Sequence, residues 1–128
     1  MPAAVGFSLG IEKQPVVSLV GDGAAMYSPQ ALWSAVHEGL PITFIVINNL
    51  EYNVLKNFMR SQPHYTSAKT GQFIAMDINQ PKIDFMSLAK SMGMQAQKIT
   101  SATEIQAAVR AAIASNKPNL IEIVVDTE

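Results

Sequence analysis

The chain has 128 residues, a length that fits one domain with a single core. Hydrophobic residues make up 48% of it and charged residues 15%, and the net charge of −1 gives no electrostatic basis for a nucleic-acid or membrane partner. The chain has no cysteine, which excludes disulfides and thiolate metal sites, and its longest apolar stretch, 42–47, is far shorter than the roughly 20 residues of a membrane span.

Short apolar runs rich in valine and isoleucine alternate with segments of helical period along the whole chain. The runs predict four strands, at 16–20, 42–47, 94–99 and 119–125. Strands that alternate with helices in this way are typical of a parallel sheet covered on both faces. The predicted fold class is therefore α/β, a three-layer parallel sheet with helices on both faces.

The first helix between strands is predicted from its capping residues. Ser28 and Pro29 are typical of an N-cap and a first helical position, and Gly39 is expected to end the helix that follows. Farther along, residues 62–83 contain scattered Pro, Thr, Ser and Gly without a sustained period. This stretch is predicted to be a long loop, and loops of that length in a compact domain are often functional.

Two more helices follow the long loop. Asp84 is predicted to cap a short helix over 85–92. Ser101 and Glu104 have the spacing of a capping box, ahead of an amphipathic helix that is expected to end near Asn116.

Polar residues follow the first two predicted strands at the point where each strand ends. Gly-Asp-Gly occupies 21–23, and Asn48 and Asn49 end the second strand. Gly-Asp-Gly alone is ordinary turn chemistry, and Asn48 is as compatible with a structural role at positive φ as with a binding role. Since ligands of parallel sheets bind beyond the carboxyl ends of the strands, the two clusters together predict a shared crevice.

The residue types in this crevice indicate a divalent ion and a phosphorylated ligand. Asp22 offers a carboxylate and Asn49 an amide oxygen, both hard ligands of the kind that Mg²⁺ or Ca²⁺ prefers. Two protein ligands leave coordination positions for phosphate oxygens and water. Gly23 permits close backbone approach, and the N–H groups of Gly23 and Ala24 are expected to be phosphate donors.

These motifs resemble the signature of thiamine-diphosphate enzymes that act on 2-oxo acids. In this chain Gly-Asp-Gly is followed by 24 residues and then by Asn-Asn, as in that signature. The segments PAAVG at 2–6 and LPITFIVINN at 40–49 also resemble the family's sequences. Essentially the whole chain is similar to the family's carboxyl-terminal, diphosphate-binding domain. YSPQALWSA at 27–35 and NNLEYNVLKNF at 48–58 most resemble the benzoylformate decarboxylase branch, whereas acetolactate synthases usually carry other sequences at both places.

The resemblance implies a role for each residue that matches the family's motif. The fold would be the thiamine-diphosphate-binding fold, truncated at its N-terminus. Mg²⁺ would be held by the side chains of Asp22 and Asn49 and by the backbone carbonyl of Glu51. The residues that would contact or border the cofactor are Gly21, Asp22, Gly23, Ala24, Tyr27, Asn49 and Tyr52. The substrate pocket would include Val54, Leu55 and Phe58.

The resemblance also implies an activity for a larger enzyme. Residues 1–128 would be its single diphosphate-binding and Mg²⁺-binding domain, acting on a small-molecule 2-oxo acid that loses CO₂ without oxidation. No catalytic residue is expected in this chain, because the family carries its catalytic acid and histidines on other parts of the enzyme. The fragment is expected to be inactive alone, and the full enzyme to be a homo-oligomer, a dimer or a tetramer.

The sequence is also compatible with other functions. Within the same class, the chain is compatible with an acetolactate synthase or another 2-oxo acid decarboxylase. From a different class, it is compatible with a non-catalytic α/β binding module. The N-terminus lacks a signal-peptide pattern and the chain lacks cysteine, so a cytoplasmic location is expected.

For four other basic side chains, a role outside the site is favoured. His37 is predicted to be a surface residue, and His64 has no partner at a catalytic spacing. Lys56 and Arg60 lie four residues apart on the helix after the asparagine pair, and a solvated face is favoured over phosphate contact.

Overall fold

The computed structural model describes residues 1–126. Its four strands, β1 to β4, are Val16–Gly21, Ile42–Asn48, Gln95–Ile99 and Asn119–Val124. All of them are parallel, in the order β1-β2-β4-β3. The predicted parallel sheet is confirmed, and each predicted strand differs from the observed one by a single residue at one end.

The helices cover both faces of this sheet, so the three-layer prediction is also confirmed. Alternate residues of β2 point to opposite faces, so Phe44 belongs to the core shared with α1, α3 and α6, while Ile45 belongs to the core shared with α7. In β4, Leu120 and Ile121 likewise point to opposite faces of the sheet. The helices, α1 to α7, are Pro2–Gly10, Asp22–Ala25, Ala31–His37, Asn53–Arg60, Thr66–Thr70, Phe85–Ser91 and Ala102–Ala114. Within residues 1–126, each helix is too short or too polar to span a bilayer.

Strand register brings the polar strand ends together. Gly21, the last residue of β1, is paired with Ile47, one residue before the end of β2. The chain leaves both strands at the same end of the sheet, the carboxyl end. Asp22 begins the short helix α2, and Asn49 begins a turn. Two segments that are distant in sequence therefore begin side by side.

The start of α3 differs from the prediction. The helix begins at Ala31, with Gln30 at its N-cap position, and no side chain caps it. The backbone N–H groups of Ala31 and Leu32 donate to the carbonyls of Ser28 and Pro29, three residues earlier. The Ser28-Pro29 pair therefore forms a tight turn of i to i+3 hydrogen bonds before the helix, and the predicted N-cap at Ser28 is wrong.

The predicted caps of the two later helices have different outcomes. The Asp84 carboxylate accepts from the Ser87 N–H at 3.0 Å, so the predicted cap of α6 is confirmed. Ser101 is the N-cap residue of α7, but its hydroxyl is bonded to the Thr103 hydroxyl at 2.8 Å and caps no backbone N–H. The capping box predicted from Ser101 and Glu104 is therefore not formed, because a nearer hydroxyl takes its place.

The predicted long loop over 62–83 is partly ordered by its own short elements. It contains α5, which ends at Gly71 with φ of 70°, a left-handed conformation that glycine adopts without strain. Farther along, Asp77 forms an antiparallel bridge with Glu51. The predicted long loop therefore contains one short helix, and the bridge links this segment to the carboxyl end of the sheet, where β1 and β2 end.

Candidate functional site

A cavity of about 230 Å³ lies beyond the carboxyl ends of β1 and β2. It is formed by α2, the turn after β2 and the first turn of α4. Nine of the residues predicted from the sequence line it, namely Gly21, Asp22, Gly23, Ala24, Asn49, Glu51, Tyr52, Val54 and Leu55. A larger cavity, of about 330 Å³, lies at the opposite end of the sheet beside α7, but no charged side chain lines it.

Asp22 connects the two polar strand ends. Its side chain is buried, and its Oδ1 accepts from the Gly23 N–H at 2.8 Å while its Oδ2 accepts from the Leu50 N–H at 2.8 Å. Each carboxylate oxygen retains a further lone pair for a cation. The Gly23 N–H was expected to donate to a phosphate, but it donates to the Asp22 carboxylate.

The two asparagines have different environments. Asn49 lines the cavity, and its Oδ1 accepts from the Glu51 N–H at 3.2 Å. Asn48 is buried beneath the turn, where its Nδ2 donates to Glu122 Oε1 at 2.7 Å. In the turn that follows β2, the residue with positive φ is Leu50, at 61°. Asn48 therefore has a structural role through its side chain rather than through its own backbone conformation.

A hydrogen-bond network beneath the turn centres on Glu122, which is 1% exposed. Glu122 Oε1 also accepts from Lys98 Nζ at 3.2 Å. Asn48 Oδ1 accepts from the Leu50 N–H at 3.1 Å, and this N–H is the one that also donates to Asp22. The network therefore links the middle of β4 to Asp22. Glu122 was not predicted as part of the site, although its position as one acidic residue inside the apolar run of β4 was an available signal.

Gly23 lies directly against the turn after β2. A Cβ atom at Gly23 would be 2.8 Å from Tyr52 Cζ and 3.0 Å from Ile78 Cδ1, and nearer still to Tyr52 Cε1. Such approaches are shorter than van der Waals contact, so only glycine fits while Tyr52 keeps this position. The tyrosine ring forms part of the cavity wall next to α2.

Lys56 is placed differently from the prediction of a solvated face. It is 7% exposed, and its ammonium group contacts the carboxylates of Glu51 and Asp77, the latter at 2.5 Å. Hydrogen bonds to Asp77 and then to Glu51 raise the pKa of Lys56 above its ordinary value. Asp77 was not predicted to lie near Lys56, because the sequence of the long loop has no periodic pattern that would place it there.

Other predicted residues lie outside the cavity lining. Tyr27 is 82% exposed, after the end of α2. Phe58 is 55% exposed on α4 and contacts Tyr65 edge to face, with 6.4 Å between ring centroids. His37 stacks on Trp33, and His64 lies against Tyr65. The cofactor role of Tyr27 and the substrate role of Phe58 stay predictions.

The donor set of the cavity fits a hard divalent cation. Asp22, Asn49 and the carbonyl of Glu51 offer a carboxylate, an amide and a peptide oxygen, the ligand types that Mg²⁺ prefers. Among residues 1–126 there is no cluster of three or more His, Cys, Asp or Glu side chains suited to a metal ion. A cation here would keep open positions for ligand oxygens.

Comparison with known proteins gives one family over nearly the whole chain. The family model described as "Thiamine pyrophosphate enzyme, C-terminal TPP binding domain" matches residues 1–123. The chain is 35% identical over 98% of its length to a Mycobacterium tuberculosis protein provisionally named acetolactate synthase large subunit IlvX. It is 32% identical over 99% of its length to benzoylformate decarboxylase from Pseudomonas aeruginosa.

A solved structure shows the same fold. The thiamine diphosphate-dependent 4-hydroxybenzoylformate decarboxylase of Rhodococcus jostii RHA1 superposes with a TM-score of 0.87 and 34% identity. The superposition covers all of this chain and 23% of the decarboxylase chain. Likewise, the chain spans 24% of the Mycobacterium protein and 22% of the Pseudomonas enzyme, about a quarter of its relatives' length.

Proposed function

This chain belongs to the family of C-terminal TPP-binding domains of thiamine pyrophosphate enzymes, and on that premise we propose that it binds thiamine diphosphate (thiamine pyrophosphate, TPP) together with Mg²⁺. We further propose that it serves a 2-oxo acid decarboxylase of the benzoylformate type. The observation that carries the proposal is the joint position of Asp22 and Asn49 on one cavity at the ends of β1 and β2.

The residues of the cavity fit the proposed ligands. Asp22, Asn49 and the Glu51 carbonyl would hold Mg²⁺, and the ion would in turn hold the diphosphate. Asp22 is fixed by two backbone N–H groups, so its carboxylate needs little reorganisation when the ion arrives. When bound, thiamine diphosphate supplies the stabilised carbanion chemistry of the enzyme.

The residues that follow the turn fit a substrate pocket. Val54 and Leu55 line the cavity at the start of α4, and their side chains are 81% and 45% exposed. Apolar side chains that line a cavity beside a few polar groups suit a substrate with an apolar substituent beside its carboxylate. This environment is suitable for an aryl 2-oxo acid, the benzoylformate class that we propose as the substrate.

Binding of the cofactor is tested by thermal unfolding of the 128-residue chain. Thiamine diphosphate with Mg²⁺ is expected to raise Tm, since a ligand at 100 times its Kd stabilises the native state by about 2.7 kcal/mol. Thiamine with Mg²⁺, or thiamine diphosphate with EDTA, is expected to give no rise. Asp22→Asn should abolish the rise, whereas Asp126→Asn, a change at an exposed site, should retain it. No rise at millimolar concentrations of both ligands would contradict the proposal and favour a non-catalytic α/β module.

An acetolactate synthase is the second candidate, and one observation favours it. The Mycobacterium relative, named for that activity, is as similar to this chain as the decarboxylases are. The two candidates differ in the 2-oxo acid that they are expected to bind. With thiamine diphosphate and Mg²⁺ present, benzoylformate should shift Tm further and pyruvate should not; the reverse result would favour the synthase.

A further inference from the structure

Lys56 lies at the centre of an ion cluster next to the cavity, although it does not line it. Its side chain comes from α4 and is nearly buried between the carboxylates of Glu51 and Asp77. Lysine is rarely buried unless it is paired. Two carboxylates for one ammonium group leave the cluster with net negative charge, so the lysine is what allows the two acids to lie together.

The two acids belong to segments that are paired through their backbones. The Tyr52 N–H donates to the Met76 carbonyl at 2.8 Å, and the Ile78 N–H donates to the Leu50 carbonyl at 2.7 Å. We call residues 76–78 the strap, because they run antiparallel along the turn at 50–52. The strap is held to the turn by these two backbone hydrogen bonds and by the ion cluster.

The turn beneath the strap carries the backbone of the proposed cation site. Glu51 would contribute its carbonyl, and the Leu50 N–H is donated to Asp22. Leu50 has a φ of 61°, a conformation that a leucine keeps only when its surroundings impose it. The strap is part of those surroundings, through the bond from Ile78 to the Leu50 carbonyl.

We propose that Lys56 is a positioning residue for the cation and the diphosphate. Its ammonium group holds Glu51 and Asp77 together, keeps the strap on the turn and thereby keeps the Glu51 carbonyl at the cavity. Lys56 affects ligand affinity without contacting the ligand. This inference depends on the proposed function for its ligand, but the closure of the strap is a property of the chain alone.

Asp77→Asn is the most informative variant. The Asp77 side chain is 55% exposed, so its change is expected to affect the ligand-free Tm little. It removes one of the two charges that Lys56 holds, and the affinity for Mg²⁺ with thiamine diphosphate is expected to fall about tenfold, as for other residues that orient a metal ligand. Lys56→Met should weaken binding at least as much, and Lys56→Arg should restore part of the affinity. Lys82→Met, a change of an exposed lysine in the same loop, is the matched control.

Two measurements make the test independent of enzyme activity. Calorimetric titration gives the Kd for thiamine diphosphate and Mg²⁺, and hydrogen exchange follows the N–H groups of Tyr52 and Ile78. Faster exchange at both amides in Asp77→Asn, together with weaker binding, supports the proposal. Unchanged exchange and unchanged Kd in Asp77→Asn and Lys56→Met would overturn it.

Failure of the proposed function gives a different result. If the wild-type chain binds neither ligand, the proposed function fails and with it the link from Lys56 to ligand affinity. If the wild-type chain binds both ligands and the Lys56 and Asp77 variants bind them equally well, only the positioning role fails.

Discussion

At the scale of single residues, Gly23 is the position with the least freedom in the site. Alanine at this position would place its Cβ 2.8 Å from Tyr52 Cζ. We expect Gly23→Ala to lower the free energy of unfolding by about 1–3 kcal/mol, because the tyrosine ring and Ile78 must shift. Urea denaturation without ligand measures this loss.

Gly21, two residues before Gly23, is the control position. A Cβ at Gly21 meets no atom within 4 Å, and the φ of Gly21 is −75°, which alanine adopts readily. Gly21→Ala is therefore expected to leave the free energy of unfolding nearly unchanged. Equal losses in the two variants would show that the contact with Tyr52 does not limit position 23.

Glu122 is the second residue whose contacts predict a measurable effect. Glu122→Ala would leave the buried Asn48 amide without an acceptor, and we expect a loss of about 1–3 kcal/mol in the free energy of unfolding. Glu122→Gln keeps a side-chain oxygen for Asn48 and is expected to cost less. Chemical denaturation of both variants is the measurement, and a glutamine variant as unstable as the alanine variant would contradict a role based on this hydrogen bond.

At the scale of elements, the start of α6 provides a prediction that depends on pH. Hydrogen bonds from the Ser87 hydroxyl and then from its N–H lower the pKa of Asp84 from its ordinary value of 3.8. A carboxylate with a lower pKa in the folded state stabilises the fold above its unfolded pKa and loses that effect as pH falls through the folded value. We expect Asp84→Ala to lower Tm at pH 7 by a small amount.

The same variant and wild type should converge in acid. The difference in Tm is expected to shrink as pH falls below 3.8, toward the lowered pKa of Asp84. Thermal melts at a series of pH values give the difference, with Ser91→Ala on the same helix as a control that should show no such trend. A difference that stays constant from pH 7 to pH 2 would contradict the role of the Asp84 charge.

The elements also show what the sequence allows one to predict. The two central strands were predictable because β2 and β4 are buried on both faces and have mainly apolar sequences, interrupted in β4 by Glu122. The shared position of Asp22 and Asn49 was predictable because parallel strands have their carboxyl ends at the same end of the sheet. The start of α3 was not predictable from Ser28 and Pro29, because the same pair is compatible with a tight turn and with an N-cap.

The ion cluster around Lys56 could not be predicted from the sequence. Helical spacing indicated only that Lys56 and Arg60 share one side of α4. The burial of Lys56 depends on Asp77, which reaches it through a segment with no periodic pattern and an antiparallel bridge to Glu51. Contacts between an irregular loop and a turn leave no periodic signal in the sequence, so such a partner becomes visible only in the structure.

At the scale of the whole molecule, one edge strand of the sheet exposes apolar side chains. β1 lies at the edge of the sheet within the described part of the chain, and its side chains alternate between half-buried and exposed. Val17 and Leu19 are 48% and 70% exposed, although they lie beside the buried residues Thr43 and Ile45 of β2. An apolar edge strand of this kind favours pairing with another chain.

We therefore expect the chain to self-associate through the exposed face of β1, in line with the oligomer predicted from the sequence. Light scattering should give a mass above that of a monomer, and the double variant Val17→Thr and Leu19→Thr should move the mass toward the monomer. Threonine is polar, and its β-branched side chain suits a strand, so the fold is expected to persist. Ile74→Thr, at a site 87% exposed but outside the sheet, should leave the mass unchanged. A wild-type chain that scatters as a monomer at high concentration would show that an exposed apolar edge strand is not sufficient for association in this protein.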